Sequence, residues 1–345
     1  MTVAAVINLS GSVFREKAET IKYYNRMRGI GMIMKCVVTG GAGFIGSHLV
    51  DALLAAGHEV TVVDNLSSGK REFLEPHMGD RRFRLVEADL SGEGYVCADF
   101  KGADTIFHLA ANPDVRTGAT DTKTPITQNV MATYNVLESM RLHGVSRIAF
   151  TSTSTVYGEA LVVPTPEDYG PLLPISLYGA SKLSCEALIS SYCHTFGMRA
   201  WIYRFANIVG DRGTHGVIFD FIKKLRASPK KLTILGDGRQ SKSYLHISDC
   251  VEAMLFVVEN AREQVNVYNI GSDDRFDVTG IARVVAEEMG LNGVAFEYTG
   301  GDRGWKGDVP FMALSIEKIR ALGWKPTHDS GASVRLCVQQ LLKEA

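Results

Sequence analysis

From Lys35 onward the chain alternates between two patterns of apolar positions. Short, nearly continuous apolar runs at Lys35–Thr39, Glu59–Val63, Phe83–Val86, Thr105–Leu109, Ile148–Ser152 and Ala200–Tyr203 read as strands covered on both faces, because a strand with one wet face would alternate. Between several of them, Phe44–Ala56, Pro125–His143 and Leu177–Phe196 repeat apolar residues at helical spacing. Strand, helix and strand in succession predict an α/β fold built on a doubly wound parallel sheet.

Beyond Asn207 the rhythm loosens. Helices are expected at Val217–Ala227, Ser248–Asn260 and Val278–Met289, a strand at Val265–Ile270 and a last helix near Gly331–Lys343, around the turn-rich "LGDGRQSKS". This predicts a smaller, mixed α/β lobe over 207–345, interleaved with a first domain over 34–206. Residues 1–33 lack the positively charged start of a secretory signal and read as an extension outside the fold. Internal repeats and low-complexity tracts are absent from the sequence.

Composition narrows the partners. With 37 Lys and Arg against 38 Asp and Glu, the formal net charge is −1, so no long-range attraction to nucleic acid or to an anionic membrane is expected. No stretch reaches the ~18 consecutive apolar residues of a membrane span. The six cysteines (36, 97, 185, 193, 250 and 337) show neither a CxxC pair nor zinc spacing, which favours a reducing, cytoplasmic interior and no bound metal.

The chemistry begins at "VVTGGAGFIGSHLV", where Gly40, Gly43 and Gly46 follow the first strand and open a helix. Such a triplet serves a tight turn, close backbone approach to a pyrophosphate and close helix–strand packing. The helix N-terminus, with Phe44 and Ile45, then offers its amides to phosphate. Asp64 closes the second strand 18 residues past Gly46, where a carboxylate takes a ribose 2′-hydroxyl and would repel a 2′-phosphate. NAD is therefore expected rather than NADP, in a Rossmann-type domain. "ADL" at 88–90 ends the next strand, so Asp89 and Leu90 would border the adenine, although Asp89 would serve equally as a helix cap.

"YGASK" places Tyr178 and Lys182 one helical turn apart. A phenol of ordinary pKa about 10 is a poor base at neutral pH, and a nearby ammonium, like the positive nicotinamide ring, favours its ionised form. Together with "TSTSTVYG" (151–158), "FHLAANPDV", "NVMATYNVLE", "YRFANIVG" and "LGDGRQSKSYLHISD", the sequence resembles the extended short-chain dehydrogenase/reductases. Within them it is similar to the UDP-galactose 4-epimerases and related nucleotide-sugar epimerases. The resemblance spans the chain from Met34 nearly to its end.

The resemblance implies a catalytic triad of Thr153, Tyr178 and Lys182. It also implies that Asp64, Asn65, Ser67, Ser68 and Gly69 hold the adenosine and phosphates. Leu109, Ala110 and Ala111 would form the strand end over the cofactor, Asn129 a helix residue nearby, and Thr151 and Ala206 further cofactor contacts. Asn207, Val217, Lys242, Arg303 and Asp308 would contact a UDP-sugar. Lys242 stands where relatives carry an arginine, and supplies charge without a bidentate fork. Met312 falls where related epimerases vary side-chain size around an N-acetyl group. Pairing of Pro125–His143 and Leu177–Phe196 across a homodimer is implied as well.

Related dehydratases carry Asp-Glu directly after the catalytic threonine, because expelling a hydroxyl needs an acid and removing a C5 proton needs a base. Decarboxylases tend to keep a glutamate there. This chain has Ser154 and Thr155, which can do neither at neutral pH. The expected activity is therefore 4-epimerisation of UDP-glucose and UDP-galactose through a 4-keto sugar, with NAD held and regenerated. UDP-N-acetylhexosamine and UDP-glucuronate are the alternative substrates. A dehydratase, a decarboxylase or a non-catalytic NAD sensor are the alternative functions. Ser152 and Thr155 are expected to be ordinary strand and loop residues. His108 and His246 read as core histidines, Trp305 and Trp324 as packing residues, and the lysine pairs at 223–224 and 230–231 as solvated faces.

Overall fold

A computed structural model describes residues 33–304 and 309–343. All but Ile33 of the expected extension, together with Trp305 and Asp308, therefore lie outside the described residues. The main sheet is parallel, with seven strands in the order β11-β6-β5-β4-β1-β2-β3. Its members are β1 (Lys35–Thr39), β2 (Glu59–Asp64), β3 (Phe83–Glu87), β4 (Thr105–His108), β5 (Arg147–Thr153), β6 (Arg199–Phe205) and β11 (Val265–Ile270). The order reverses direction between β1 and β4, and ligands of doubly wound sheets bind in the crevice that opens there.

One face is covered by α1 (Phe44–Ala55) and α5 (Ile247–Asn260), through Leu49, Leu53, Trp201, Tyr203 and Met254. The other is covered by α2 (Ala132–His143) and α3 (Leu177–Phe196), through Val136, Met140, Ile106, Ile148 and Ile189. Strands sandwiched in this way have no water-facing side, which is why their sequences are apolar without alternation.

The second lobe gathers α4 (Val217–Ala227), α6 (Val278–Glu288) and α8 (Ser330–Lys343) around Phe221, Leu225, Ile281, Val285 and Val338. Three small pieces of sheet accompany them. β7 (Asn207–Val209) pairs with β10 (Tyr244–His246), and β8 (Lys231–Ile234) with β13 (Ala295–Tyr298). The third set, β12 (Phe276–Asp277), β9 (Ser241–Lys242) and β14 (Phe311–Met312), carries Lys242 beside Met312. A short α7 (Glu317–Leu322) returns to the first core, where Ile319 is buried.

Two local expectations differ from the structure. The helix over Pro125–His143 starts as a π-helical stretch, Pro125–Met131, before α2. That winding brings Asn129 inward, where its amide bridges the Asn112 N–H and the Ser181 hydroxyl. Val265–Ile270, read above with the smaller lobe, is the outer strand of the main sheet beside β6. Asn266 and Asn269 hold it there by donating to backbone carbonyls of Ala200, Thr165 and Ser315.

Candidate active site

The residues singled out above collect at one edge of the main sheet. The glycine turn follows β1, and Asp64, Asn65, Ser67, Ser68 and Gly69 end or follow β2. Asp89 and Leu90 follow β3, Leu109–Ala111 follow β4, and Thr151 and Thr153 close β5. Ala206 and Asn207 follow β6. Because the strands are parallel, all of these lie at the C-terminal edge, around the β1/β4 crevice.

The glycine turn is sterically committed. Gly40 has φ +70°, and a Cβ there would sit 2.6 Å from the Ala110 nitrogen, so the turn presses directly on the end of β4. A Cβ on Gly46 would meet the Gly40 carbonyl oxygen at 2.2 Å, which locks α1 against the turn. A Cβ on Gly43 would meet only that same carbonyl within van der Waals range, at 3.2 Å, leaving room for a pyrophosphate to approach. The first turn of α1 carries no acidic side chain, and its amides at Phe44, Ile45 and Gly46 lack intrahelical acceptors.

Asp64 is buried and accepts from the Ala42 N–H at 2.9 Å and the Leu66 N–H at 2.8 Å. Burial raises its pKa, and these two amides oppose the rise. The carboxylate thus ties β2 to the glycine turn while keeping further lone pairs for ribose hydroxyls. These features fit a dinucleotide: a cradle that any Cβ would fill, an uncompensated helix start and a carboxylate beside it. Asp89 accepts from both the backbone N–H and the hydroxyl of Ser91, so it closes a turn at the cleft's rim.

α3 begins at a Ser176 cap that accepts from the Gly179 N–H at 3.1 Å. A Cβ on Gly179 would lie 2.8 Å from the Thr155 carbonyl oxygen, so the glycine lets the start of α3 seat against the turn that follows β5. This contact sets Tyr178 and Thr153 relative to each other. Thr153 Oγ1 accepts from the Thr155 N–H and from the Thr155 hydroxyl, each at 3.2 Å. Its own proton is left to donate outward. Thr155 is thus more than the loop residue expected above.

Lys182 is buried and donates from Nζ to the Thr151 carbonyl at 2.9 Å, with the Phe150 ring 4.8 Å away. Burial lowers its pKa to about 8. The Tyr178 phenol is pushed up to about 12 by burial, with a smaller contribution from Cys185. The ammonium is turned toward the strand, and desolvation decides the sign.

A buried polar network stands behind the reaction edge. Arg204 makes a two-pronged ion pair with Glu186, donating from Nη2 at 2.7 Å and Nε at 3.1 Å, and donates to Tyr157 at 3.0 Å. Tyr157 donates to Asn269 at 2.7 Å, and Ser152 donates to Glu186. Ser152 thus belongs to this network as well as to its strand. The signal was present in the sequence: an arginine inside the apolar run "AWIYRF" requires a buried carboxylate, and Glu186 lies four residues after Lys182 on α3.

Among the residues expected to contact a substrate, Asn207 donates to the Ser243 carbonyl at 3.1 Å. Val217 opens α4, and Lys242 lies partly buried in β9. Arg303 forms an ion pair with Glu159 in the loop after Tyr157. Met312 packs near Val156, Tyr157 and Leu314. His108 is a buried histidine held between Thr39 at 2.7 Å and Thr133 at 3.0 Å, its pKa lowered to about 3 by burial. His246 is likewise buried, between Ser248 and Gln340. Trp324 is a core residue, and the lysines at 223, 224, 230 and 231 are exposed.

The model of the NAD-dependent epimerase/dehydratase family matches residues 36–271. The chain belongs to that family. It is 32% identical over 307 residues to a putative UDP-glucose 4-epimerase of Methanocaldococcus jannaschii, covering 88% of this chain and 96% of that one. It is 35% identical over 331 residues to UDP-glucuronic acid decarboxylase 4 of Arabidopsis thaliana, covering 90% and 71%. A crystal structure of UDP-galactose 4-epimerase superposes with TM-score 0.81 at 44% identity, covering 90% and 99%. The protein is an NAD-dependent enzyme of this family. Among the described residues no helix is long and apolar enough to cross a membrane. All six cysteines are buried free thiols.

Proposed function

We propose that the protein interconverts UDP-glucose and UDP-galactose by inversion at C4, retaining NAD throughout. The observation that carries this reading is the turn after β5. Thr153 stands there with its proton available, and the next two positions are the neutral Ser154 and Thr155. A lyase of the same fold needs an acid or base in that place, whereas inversion through a ketone needs neither.

The glycine turn, the start of α1 and Asp64 would hold NAD, with Asn65, Ser67, Ser68, Gly69, Asp89, Leu90, Ala110, Ala111, Asn129 and Ala206 around it. When bound, NAD supplies a hydride acceptor and donor at the sugar C4. Tyr178, as phenolate, takes the proton of the sugar 4-hydroxyl and later returns it, while Thr153 donates a hydrogen bond to the same oxygen. Because the phenol is pushed up to about 12 without ligand, its ionisation depends on positive charge brought in with the cofactor. Lys182 anchors the end of β5 through Thr151 and stands one turn from the phenol. Lys242 and Arg303 would hold the diphosphate, with Arg303 exchanging Glu159 for phosphate oxygens. Asn207 and Val217 border the nucleotide.

The protein acts as a homodimer in the cytoplasm in this reading. Ile126, Met131, Tyr134, Leu142, Leu177 and Phe196 are exposed on the helices over 125–143 and on α3, which supports pairing of these faces. A monomeric mass by light scattering at micromolar concentration contradicts it. The activity is tested by incubating the protein separately with UDP-galactose, UDP-N-acetylgalactosamine and UDP-galacturonate and resolving the products. Conversion of UDP-galactose to UDP-glucose is expected. Selective conversion of either other sugar reassigns the substrate, and release of CO₂ or a 4-keto-6-deoxy sugar overturns the epimerase reading.

A further inference from the structure

The edge of the sheet opposite the reaction site carries a second concentration of chemistry. Arg147 begins β5 and Arg199 begins β6, and the two are direct partners in the parallel register. Partnered side chains project from the same face of a sheet, and like charges so placed repel. Arg262 adds a third cation, close enough that it and Arg199 act on Arg147. Among the described residues none of the three arginines makes an ion pair within 4.0 Å; Asp104, which acts on Arg147, already accepts from the Lys35 N–H, and Arg262 also acts on Glu259.

The position of Arg147 is fixed and one of its donors is unsatisfied. Its guanidinium lies over the Trp201 ring at 5.2 Å, and its Nε is buried with no hydrogen-bond partner. The Trp201 indole is itself tied to the Ala261 carbonyl at 3.1 Å, next to Arg262. A buried donor without a partner is costly to leave unmet, and the planar guanidinium presents a fork suited to oxyanions. Beside them lies a half-open surface pocket of about 450 Å³, lined by Ser146, Arg147, Gly197, Met198, Arg199 and Gln264. That volume lies within the range of small-molecule sites and exceeds what a bare ion would fill.

We propose that this pocket binds a phosphorylated small molecule, with its phosphoryl group held between Arg147 and Arg199. The site is separate from the reaction centre. Arg147 and Thr153 are the first and last residues of the same strand, roughly 20 Å apart at strand rise. It takes its ligand by charge and fork geometry, and it holds whether or not the chain is an epimerase.

The test is calorimetric titration of the full chain, presaturated with NAD and UDP so that the reaction cleft is filled. Inorganic phosphate, pyrophosphate and glucose 1-phosphate serve as probes, against sodium chloride at matched ionic strength. Saturable binding of at least one phosphoryl probe is expected. Arg199→Ala, at an exposed position, should weaken it at least tenfold and leave the melting temperature and the NAD content unchanged. Arg303→Ala, on the substrate side, should leave it intact. Heats that follow ionic strength alone, or equal binding by Arg199→Ala and the parent chain, overturn the proposal. Tighter binding of glucose 1-phosphate than of phosphate identifies an organic ligand. Equal affinity reduces the site to a simple anion site and contradicts the small-molecule assignment.

Discussion

The Thr155 hydroxyl donates to the Thr153 hydroxyl across 3.2 Å, and the Thr155 amide donates to the same oxygen. With two donors on its oxygen, Thr153 keeps its own proton to donate to another partner. In the proposed mechanism Thr155 is thereby a positioning residue. Thr155→Val removes one donor with little change in volume and should lower kcat by about three- to tenfold, the worth of one net hydrogen bond. KM should be nearly unchanged and Thr155→Ser should recover most of the rate. Steady-state kinetics of both variants, with a Thr153→Val double mutant, checks the coupling. Additive losses in the cycle would deny it.

Removal of the phenol is the sharper perturbation. Tyr178→Phe should reduce kcat by about 10²–10⁴-fold, the usual range for a lost acid–base group, while NAD content per chain stays at the parent value. Cofactor content is read from the absorbance of the nucleotide released on denaturation. Loss of the cofactor together with the rate would mean that Tyr178 holds NAD more than it moves a proton.

Gly46→Ala places a methyl carbon 2.2 Å from the Gly40 carbonyl oxygen, and both partners are backbone. The start of α1 must shift, and the purified variant should contain little NAD. Gly57→Ala, where a Cβ would meet no atom within 4 Å but φ is +96°, isolates backbone strain from the close approach. It should lose stability without losing the cofactor, measured by thermal unfolding beside nucleotide release.

Lys182 yields a pH-dependent prediction. Burial lowers its folded pKa to about 8 from 10.5, so at neutral pH the folded state bears a cost for keeping the ammonium charged. That cost fades as pH rises from about 8 toward 10.5, where the unfolded chain still binds the proton and the folded chain has released it. Lys182→Met should be the more stable protein at pH 7, by no more than about 3 kcal/mol at 1.36 kcal/mol per unit. The lost bond to Thr151 reduces that advantage. The advantage should shrink across that window in denaturant titrations, and a difference independent of pH would contradict the assignment.

Arg204→Met leaves the Glu186 carboxylate buried without its partner, and it also strips donors from Tyr157 and the Glu167 carbonyl. The expected loss is about 3–5 kcal/mol of unfolding free energy. Because β5 ends in Thr153, the variant should also lose rate. Chemical denaturation measures the first and kinetics well below the melting temperature the second.

Much of this architecture was legible because periodicity and glycine geometry act locally. Leu177–Phe196 and Val217–Ala227 are helices with the bounds their spacing predicts, and Lys35–Thr39 is a strand as read. The gathering of Gly40, Asp64, Thr153 and Tyr178 at one edge follows from parallel connectivity. What stayed hidden depended on tertiary placement. Two- and three-residue strands such as Ser241–Lys242 are too short to show a period. The sheet membership of Val265–Ile270 is decided by β6, and the π winding before α2 by the partners of Asn129. The direction of Lys182 could not be read from an i, i+4 spacing, which brings two side chains near each other without saying where their ends point.

The central claim is that the chemistry goes to the ketone and back, with no acid or base acting beyond Tyr178. Turnover of UDP-galactose in D₂O, followed by NMR of the nucleotide sugars, tests it most directly. The account predicts UDP-glucose free of deuterium at both C4 and C5. Deuterium at C5, or a 4-keto-6-deoxy product, would contradict it.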